Sequence, residues 1–273
     1  MNSSTASRPR TRQSRWLPGR AFLLWLMFVV PVGAVLWAIY AAQRDAELTV
    51  TRARESNLID RAQQTLTAVL DRAEGDALYL AEQSALREWI DTGNEAARKR
   101  LAADFIAFAQ HRGVYDQLRF LDPGGQERLR VNWSHGQPVS LPPEELQDKS
   151  SRGYVRDLQA LRAGEIYVSR FDLNVEKGAI DQPLKPVIRF GAPVVDAEGL
   201  RGFVLINYAG RLLLNDLRAM VGDKQAGSEL QLLNREGYWL LGPPQREWGF
   251  QLPGRSESRF SRQYTVQGDN NHE

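Results

Sequence analysis

One uncharged apolar run stands out near the N-terminus. Positions 21–42, AFLLWLMFVVPVGAVLWAIYAA, carry no charged side chain, and a helix of that length extends about 33 Å at roughly 1.5 Å per residue. This length crosses the hydrocarbon core of a bilayer. A cleaved signal peptide is disfavoured, because the run exceeds a usual signal core and no small-x-small site closes it. The pattern therefore predicts a transmembrane helix over residues 21–43.

A helical spacing continues after the apolar run. No proline occurs over residues 44–90, and apolar or small side chains recur there at steps of three and four residues. The positions are Ile59, Ala62, Leu66, Val69, Ala73 and Leu80, with Asp76 occupying one step. Such spacing predicts one long helix. Two interpretations are open and fit successive stretches: a rod that pairs with its copy in a homodimer, and a helix that packs on its own domain.

Beyond residue 91 the pattern changes to strands. A helix is predicted up to Gly113, which is a suitable C-cap, and further helices at 154–161 and 211–220. Alternation and turn residues predict strands at 117–122, 126–132, 165–171, 186–195 and 201–208, with Asp-Pro-Gly-Gly at 122–125 closing the first hairpin. Together these elements predict an α+β domain in which helices flank a five-stranded antiparallel sheet. Another hairpin begins at 230–241.

The charges divide unevenly along the chain. The only charged residues before Arg44 are five arginines, at positions 8, 10, 12, 15 and 20, and the remainder carries 30 basic against 33 acidic side chains. This bias predicts a single-pass inner (plasma) membrane protein with a cytoplasmic N-terminus and a periplasmic or otherwise extracytoplasmic body. The tail is expected to contact anionic membrane lipid. A nucleic-acid partner is not expected, since the folded part has no basic excess.

Residue types suited to covalent or metal chemistry are scarce. The chain has no Cys, and His111, His135 and His272 lack the spacing of a metal-binding motif. No phosphate-binding, dinucleotide-binding or serine-hydrolase motif occurs either. We therefore predict no catalytic residue, no metal site and no cofactor, and an exported enzyme is the least favoured function.

Three segments together resemble a known sensor family. They are YDQLRFLDPGGQERLRVN (115–132), YVSRFDLNVEKGAIDQPLKPVIRFGAPVVD (167–196) and GLRGFVLINYAGRLLL (199–214). Behind an anchor and a long helix, they resemble the extracytoplasmic double Cache (PAS-like) sensor domains of bacterial transmembrane receptors. A further stretch, LLNREGYWLLGPPQREWGF (232–250), is similar to the opening of the second, membrane-proximal module of such sensors.

The resemblance implies a division of the chain. A basic cytoplasmic tail (1–20), a transmembrane helix (21–43) and a long, dimer-capable helix (44–90) precede a membrane-distal Cache domain (91–222), and an incomplete second module with a polar tail follows (223–273). Members of the family continue into a second transmembrane helix and an output domain, such as a diguanylate cyclase, phosphodiesterase, histidine kinase or methyl-accepting domain. We therefore expect the chain to be cut within its second module and to hold no catalytic domain.

The resemblance also places ligands between one sheet face and the loop that covers it. Strand alternation puts Arg128 and Arg130 on the face opposite Leu129 and Val131, and Arg189 lies in an otherwise apolar strand, where a buried charge needs a partner. The candidate ligand-binding residues are Arg128, Arg130, Tyr167, Asp172, Asn174 and Arg189.

Two explanations for these arginines stay open. Arg130, Arg189 or both clamp an anionic group, since a guanidinium presents a planar fork of donors. Alternatively they pair internally with Asp172 or Glu176 and hold the loop against the sheet. Tyr167 is either a pocket wall or a core aromatic. The Arg-x-Trp-Tyr signature of amino-acid-sensing members is not found, so an amino-acid ligand is not predicted.

The leading functional hypothesis is the ligand-sensing input part of a bacterial signal-transduction receptor, such as the sensor of a diguanylate cyclase or histidine kinase. It would bind a small-molecule ligand, for which an anion is one candidate class, or a periplasmic binding protein, and transmit binding through the long helix. The alternative is a catalytically silent membrane scaffold or inhibitor that pairs with intact receptors.

Overall fold

The computed structural model describes residues 18–176, 178–221 and 229–263. Its helices are α1 (Pro18–Ala81), α2 (Ser84–Thr92), α3 (Glu95–Arg112), α4 (Gly153–Gln159), α5 (Gly210–Ala219) and α6 (Phe260–Gln263), with a 3₁₀ turn at Pro143–Glu145. Its strands are β1 (Tyr115–Leu121), β2 (Glu127–Ser134), β3 (Gln137–Ser140), β4 (Tyr167–Val168), β5 (Asp172–Leu173), β6 (Val175–Glu176), β7 (Ala179–Ile180), β8 (Pro186–Asp196), β9 (Gly199–Ala209), β10 (Leu232–Leu233) and β11 (Trp239–Leu241).

The chain divides into two compact units, residues 1–57 and 58–273. In the first unit, the apolar run lies within α1 and its large side chains are exposed. This helix is long and apolar enough to cross a membrane, with a mean hydropathy of 2.4 in its most apolar window. By length and composition this helix is a candidate membrane span, and the membrane crossing itself stays a prediction.

The predicted single helix over 44–90 is wrong at its C-terminal end. The helix α1 stops at Ala81, the chain turns at Gln83 with φ −61° and ψ 133°, and α2 begins at Ser84. Leu80 and Leu86 are both fully buried in the same core. On one continuous helix these two side chains would point about 120° apart, because six residues advance about 240°. The break lets both reach the core.

The sheet confirms the α+β class and extends the predicted strand set. Its antiparallel order is β3-β2-β1-β9-β8-β4, and β5 also pairs with β8, which gives seven strands rather than five. The strand β3 was not predicted because it has four residues and includes Pro138, which an edge strand tolerates. The strand predicted at 165–171 is reduced to Tyr167–Val168, because the chain then leaves β8 and returns as β5.

The two faces of the sheet differ in what covers them. One face is apolar and packs in the main core with α1, α2 and α3, through side chains such as Leu118 and Phe190. The opposite face has a smaller apolar cluster, in which Val155 and Leu158 of α4 meet Leu205. The rest of this second face is free to carry polar side chains under the loop that joins β3 to β8.

The C-terminal segment, residues 229–263, packs on the same domain. Leu240, Leu241 and Trp248 belong to the main core, and the Trp248 ring meets Phe171 edge-on at a centroid distance of 5.4 Å. The predicted second module also covers residues 223–228 and 264–273, which lie outside the described residues, so its assignment stays a prediction. What the described part shows is a short hairpin, β10–β11, whose turn residue Glu236 lies 3.5 Å from the Arg170 guanidinium.

Candidate functional site

Two polar rows cross the second face of the sheet. The strand register places neighbours side by side, from β2 through β1 and β9 to β8. One row is Asn132, Gln117, Asn207 and Arg189, and the next is Arg130, Arg119, Leu205 and Gly191. Gln117, Arg119, Arg130, Arg189 and Asn207 are all buried. Buried polar groups require partners, and Asn207 supplies two, because it accepts from Arg119 at 2.6 Å and donates to Gln117 at 3.1 Å.

A β-bulge decides which residue of β2 joins this face. Phe120 pairs with Leu129, but the next pair is Leu121 with Glu127, so Arg128 is the extra residue. Arg128 is therefore exposed. Glu127 takes the place on this face that uninterrupted alternation would give to Arg128. The expectation that Arg128 lies beside Arg130 is wrong for this reason, and the structure brings an acid to the face instead.

Glu127 is the buried counter-charge of two arginines. Its side chain is fully buried, and its carboxylate oxygens lie 3.6 Å from Arg119 Nη1 and 3.5 Å from Arg130 Nη1. The main-chain N–H of Gln147 donates to the carboxylate at 3.1 Å. The hydrogen bond from Gln147 fastens the loop to the sheet. The Glu127 carboxylate also neutralises the two guanidinium groups, which are buried away from water.

Glu176 on β6 is the second acid that fastens the covering loop. It accepts from Arg130 Nη2 and from Lys149 Nζ, both at 3.2 Å. Burial by itself would raise the pKa of Glu176, but Arg130 and Lys149 outweigh it and lower the pKa to about 2. Burial lowers the pKa of Lys149, although Glu176 and Glu127 oppose the shift. Arg130 therefore forms the internal pair that was one of its two predicted fates.

Arg189 is held by two residues of the same loop. Its Nη1 donates to Asp172 at 2.6 Å and its Nη2 donates to the Asn174 side chain at 3.1 Å. Burial raises the pKa of the Asp172 carboxyl, while the Arg189 guanidinium opposes that shift. Because two nitrogens of the planar guanidinium group each have a partner, Asp172 and Asn174 fix the direction in which Arg189 points. These contacts use only part of the five donors of the group.

A cavity of about 200 Å³ lies between the polar rows and the loop. Its walls include three of the predicted ligand-binding residues, Asp172, Asn174 and Arg189. Arg130 contacts Glu176 and is not among the wall residues. Tyr167 packs with the small apolar cluster around Leu205, where burial raises its pKa. The wall residues that sequence reasoning missed are Arg119, Lys149, Arg152 and Tyr154.

The cavity wall has more positive than negative charge. It contains the cations Arg119, Lys149, Arg152 and Arg189 against the anions Asp172 and Glu176. Arg119 Nε is buried and, within the described part of the chain, has no hydrogen-bond partner. A buried N–H without a partner is costly, and the same residue lines the cavity. Over the described ranges, no group of three or more His, Asp or Glu side chains forms a metal site.

Acid titration is expected to isolate the contribution of Glu176 to stability. Its pKa of about 2 lies below the ordinary 4.5, so its stabilising contribution is complete above about pH 4.5 and is lost as the pH falls through about 2. We expect wild type to exceed Glu176→Gln by on the order of 2 kcal/mol in unfolding free energy at pH 7, since partial exposure reduces the full value. Urea unfolding from pH 7 to pH 3 measures this difference, which should shrink below pH 4.5.

The matched control for this titration is Glu144→Gln, because Glu144 is an exposed acid of the same loop. Its unfolding free energy should follow wild type at every pH. A wild-type advantage over Glu176→Gln that stays constant from pH 7 to pH 3 would show that the ion pairs with Arg130 and Lys149 do not determine it.

Comparison with known proteins gives one family and a set of similar folds. Residues 61–267 match the family described as bacterial histidine kinase, sensor domain. A domain of a sensory box/GGDEF family protein from Vibrio parahaemolyticus is 22% identical over 77% of this chain and 78% of its own, with a TM-score of 0.70. The extracellular domain of the histidine kinase vpHK1S-Z8 is 23% identical over 77% of this chain and 75% of its own, also with a TM-score of 0.70.

A more distant similar structure is the sensor domain of the V. cholerae histidine kinase DctB, which is 11% identical. The match covers 71% of this chain and 67% of that chain, with a TM-score of 0.52. No curated protein sequence matches this chain. At these identities the structural matches establish the fold, and the family match covers the sheet, the loop over the cavity and the whole C-terminal segment.

Proposed function

Because the chain belongs to the family of bacterial histidine kinase sensor domains, we propose that it senses a small anion in the cavity between the polar face and the covering loop. The observation that carries the proposal is Arg119, a residue of the cation-rich wall whose buried Nε has no hydrogen-bond partner among the described residues. Arg152 adds a second donor, since its one hydrogen bond there goes from Nη2 to the Val175 carbonyl. Guanidinium groups bind carboxylate and phosphate well.

The cavity volume limits the size of this ligand. At about 200 Å³ it is smaller than the roughly 300–1,000 Å³ of pockets for drug-sized molecules. A small carboxylate or a phosphate group fits this volume. The two acids in the wall are already engaged, Asp172 by Arg189 and Glu176 by Lys149. A ligand ammonium group would therefore have to compete with those cations, which favours an anion over an amino acid.

The receptor role follows from the helix that precedes the sensor. The sensor would lie outside the cytoplasm, with the basic tail inside, as the positive-inside rule indicates. Helix α1 carries the candidate membrane span and also packs Ala73, Ala77 and Leu80 into the core. A ligand that favours one arrangement of the sheet on α1 would shift the population of receptor states. Dimer formation through residues 44–90 and a kinase or cyclase output are part of this proposal.

A melting experiment tests the binding function directly. The full chain in detergent micelles is heated with acetate, malonate, citrate, inorganic phosphate and a set of amino acids. We expect at least one small anion to raise the melting temperature in a saturable way. We expect Arg152→Ala to weaken binding of that anion at least tenfold, because the variant removes a half-exposed donor whose Nη2 contacts the Val175 carbonyl.

The matched control is Arg156→Ala, an exposed arginine four residues further along α4, which should bind like wild type. If no anion shifts the melt, or if Arg152→Ala responds like wild type, the proposed anion site is wrong. The scaffold interpretation would then be favoured.

A further inference from the structure

A glutamine of the C-terminal segment pairs with the main chain of the cavity loop. Gln251 Oε1 accepts from the N–H of Leu173 at 2.6 Å, and Gln251 Nε2 donates to the carbonyl of Leu173 at 3.2 Å. The side-chain amide thus takes the place of a neighbouring strand on the free edge of β5. Leu173 is fully buried, so its main-chain groups would otherwise lack partners at a high cost.

Leu173 is the middle residue of the segment that sets the direction of Arg189. The residue before it, Asp172, and the residue after it, Asn174, both accept from the Arg189 guanidinium. The N–H of Asn174 donates to the Lys185 carbonyl at 2.8 Å. This three-residue segment is therefore held toward the sheet by Asp172 and Asn174, and toward the C-terminal segment by Leu173.

Gln251 is itself fixed by the C-terminal hairpin. Its N–H donates to the Trp248 carbonyl at 2.9 Å, and the N–H of Trp248 donates to the Trp239 carbonyl at 2.9 Å. Trp248 packs against Phe171, one residue before Asp172. Two adjacent contacts, one aromatic and one polar, therefore join the hairpin to the cavity wall.

From these contacts we infer that Gln251 is a positioning residue of the anion site, through which occupation of the cavity and docking of residues 229–263 are linked. This inference rests on the proposed function for the ligand itself, but the mechanical link does not depend on which ligand binds. Linkage between binding in the cavity and docking of the segment is reciprocal, so a change at Arg189 is also expected to act at Gln251. A change in the cavity would then reach the C-terminal segment through Gln251.

Amide hydrogen exchange of the full chain in micelles tests the link without a ligand. We expect Gln251→Leu to speed exchange of the Asn174 amide at least tenfold, whereas Gln245→Leu, an exposed glutamine of the same segment, leaves it unchanged. In the reverse direction, Arg189→Met should speed exchange of the Gln251 and Leu252 amides several-fold, and the exposed-site control Arg156→Met should not.

A conservative variant separates positioning from general packing. In Gln251→Glu the side chain can both accept and donate only when the carboxyl group is protonated. At pH 4, exchange of the Asn174 amide in this variant should therefore approach that of wild type at the same pH. At pH 7 it should resemble that of Gln251→Leu. Malonate titration followed by melting should give at least tenfold weaker binding for Gln251→Leu than for Gln245→Leu.

The inference is overturned if Gln251→Leu leaves the Asn174 amide at its wild-type rate, or if Arg189→Met leaves residues 251 and 252 unaffected. A wild-type protein that binds none of the tested anions contradicts the proposed function instead. In that case the exchange measurements still decide whether Gln251 links the two parts.

Discussion

Replacing Glu127 by alanine is expected to lower the free energy of unfolding by about 3–5 kcal/mol, which is the usual cost of removing one partner of a buried ion pair. The carboxylate is fully buried and lies within 3.6 Å of both Arg119 and Arg130. Its loss would leave two buried guanidinium groups with reduced compensation and would free the main-chain N–H of Gln147. Urea unfolding of the full chain in micelles, followed by tryptophan fluorescence, measures the change.

Glu198→Ala is the matched control, because Glu198 also pairs with an arginine, Arg201, but is 79% exposed. Exposed pairs contribute at most about 1 kcal/mol, so this variant should unfold close to wild type. Equal unfolding midpoints for the two variants would mean that Glu127 is not the counter-charge of the cavity.

Replacing Asp76 by alanine is expected to cost about 3 kcal/mol of unfolding free energy. Asp76 lies on α1 and is buried, and its two oxygens accept from Tyr115 Oη and from Arg112 Nη2, each at 2.5 Å. Burial first, and then the hydrogen bond to Asp76, raise the pKa of Tyr115, which keeps the phenol protonated as a donor. Without Asp76 that buried hydroxyl would have no acceptor from α1.

A double-mutant cycle with Tyr115→Phe tests this assignment. The phenylalanine variant removes the stranded donor, so the double variant should cost clearly less than the sum of the two single variants. Asp71→Ala, an exposed acid on the same helix, is the control and should have little effect. Strict additivity of Asp76→Ala and Tyr115→Phe would rule out the hydrogen bond as the source of the cost.

The parts of the fold that could be predicted have local signals. The apolar run specifies the anchor, and Asp-Pro-Gly-Gly specifies the first hairpin, where Asp122 Oδ1 accepts from the N–H groups of Gly124 and Gln126. Gly113 ends α3 in the left-handed region with φ 64°, which glycine adopts at little cost. The break at Gln83 has no such local signal, because it depends on the packing of Leu86 in the tertiary core.

The site could be predicted only in part, for the same reason. Arg189 was identified because it is a charge in an apolar strand, and Arg119 between Leu118 and Phe120 has that same signal but was missed. Lys149 and Arg152 come from a loop with no periodicity, whose position depends on contacts such as Lys149 N–H to the Gly125 carbonyl at 3.0 Å. The bulge at Arg128 also depends on pairing between strands. Alternation alone therefore placed Arg128 on the sheet face that Glu127 occupies.

Strand β1 brings the cavity and the helix close together. At its start, Tyr115 donates to Asp76 of α1, and four residues later Arg119 lines the cavity on the opposite side of the sheet. At about 3.3 Å per residue, the two points lie roughly 13 Å apart along one backbone. A ligand bound in the proposed cavity would therefore act on the same strand that is hydrogen-bonded to α1. A small shift of that backbone would then be enough to connect the two, without a relay of side chains through the core.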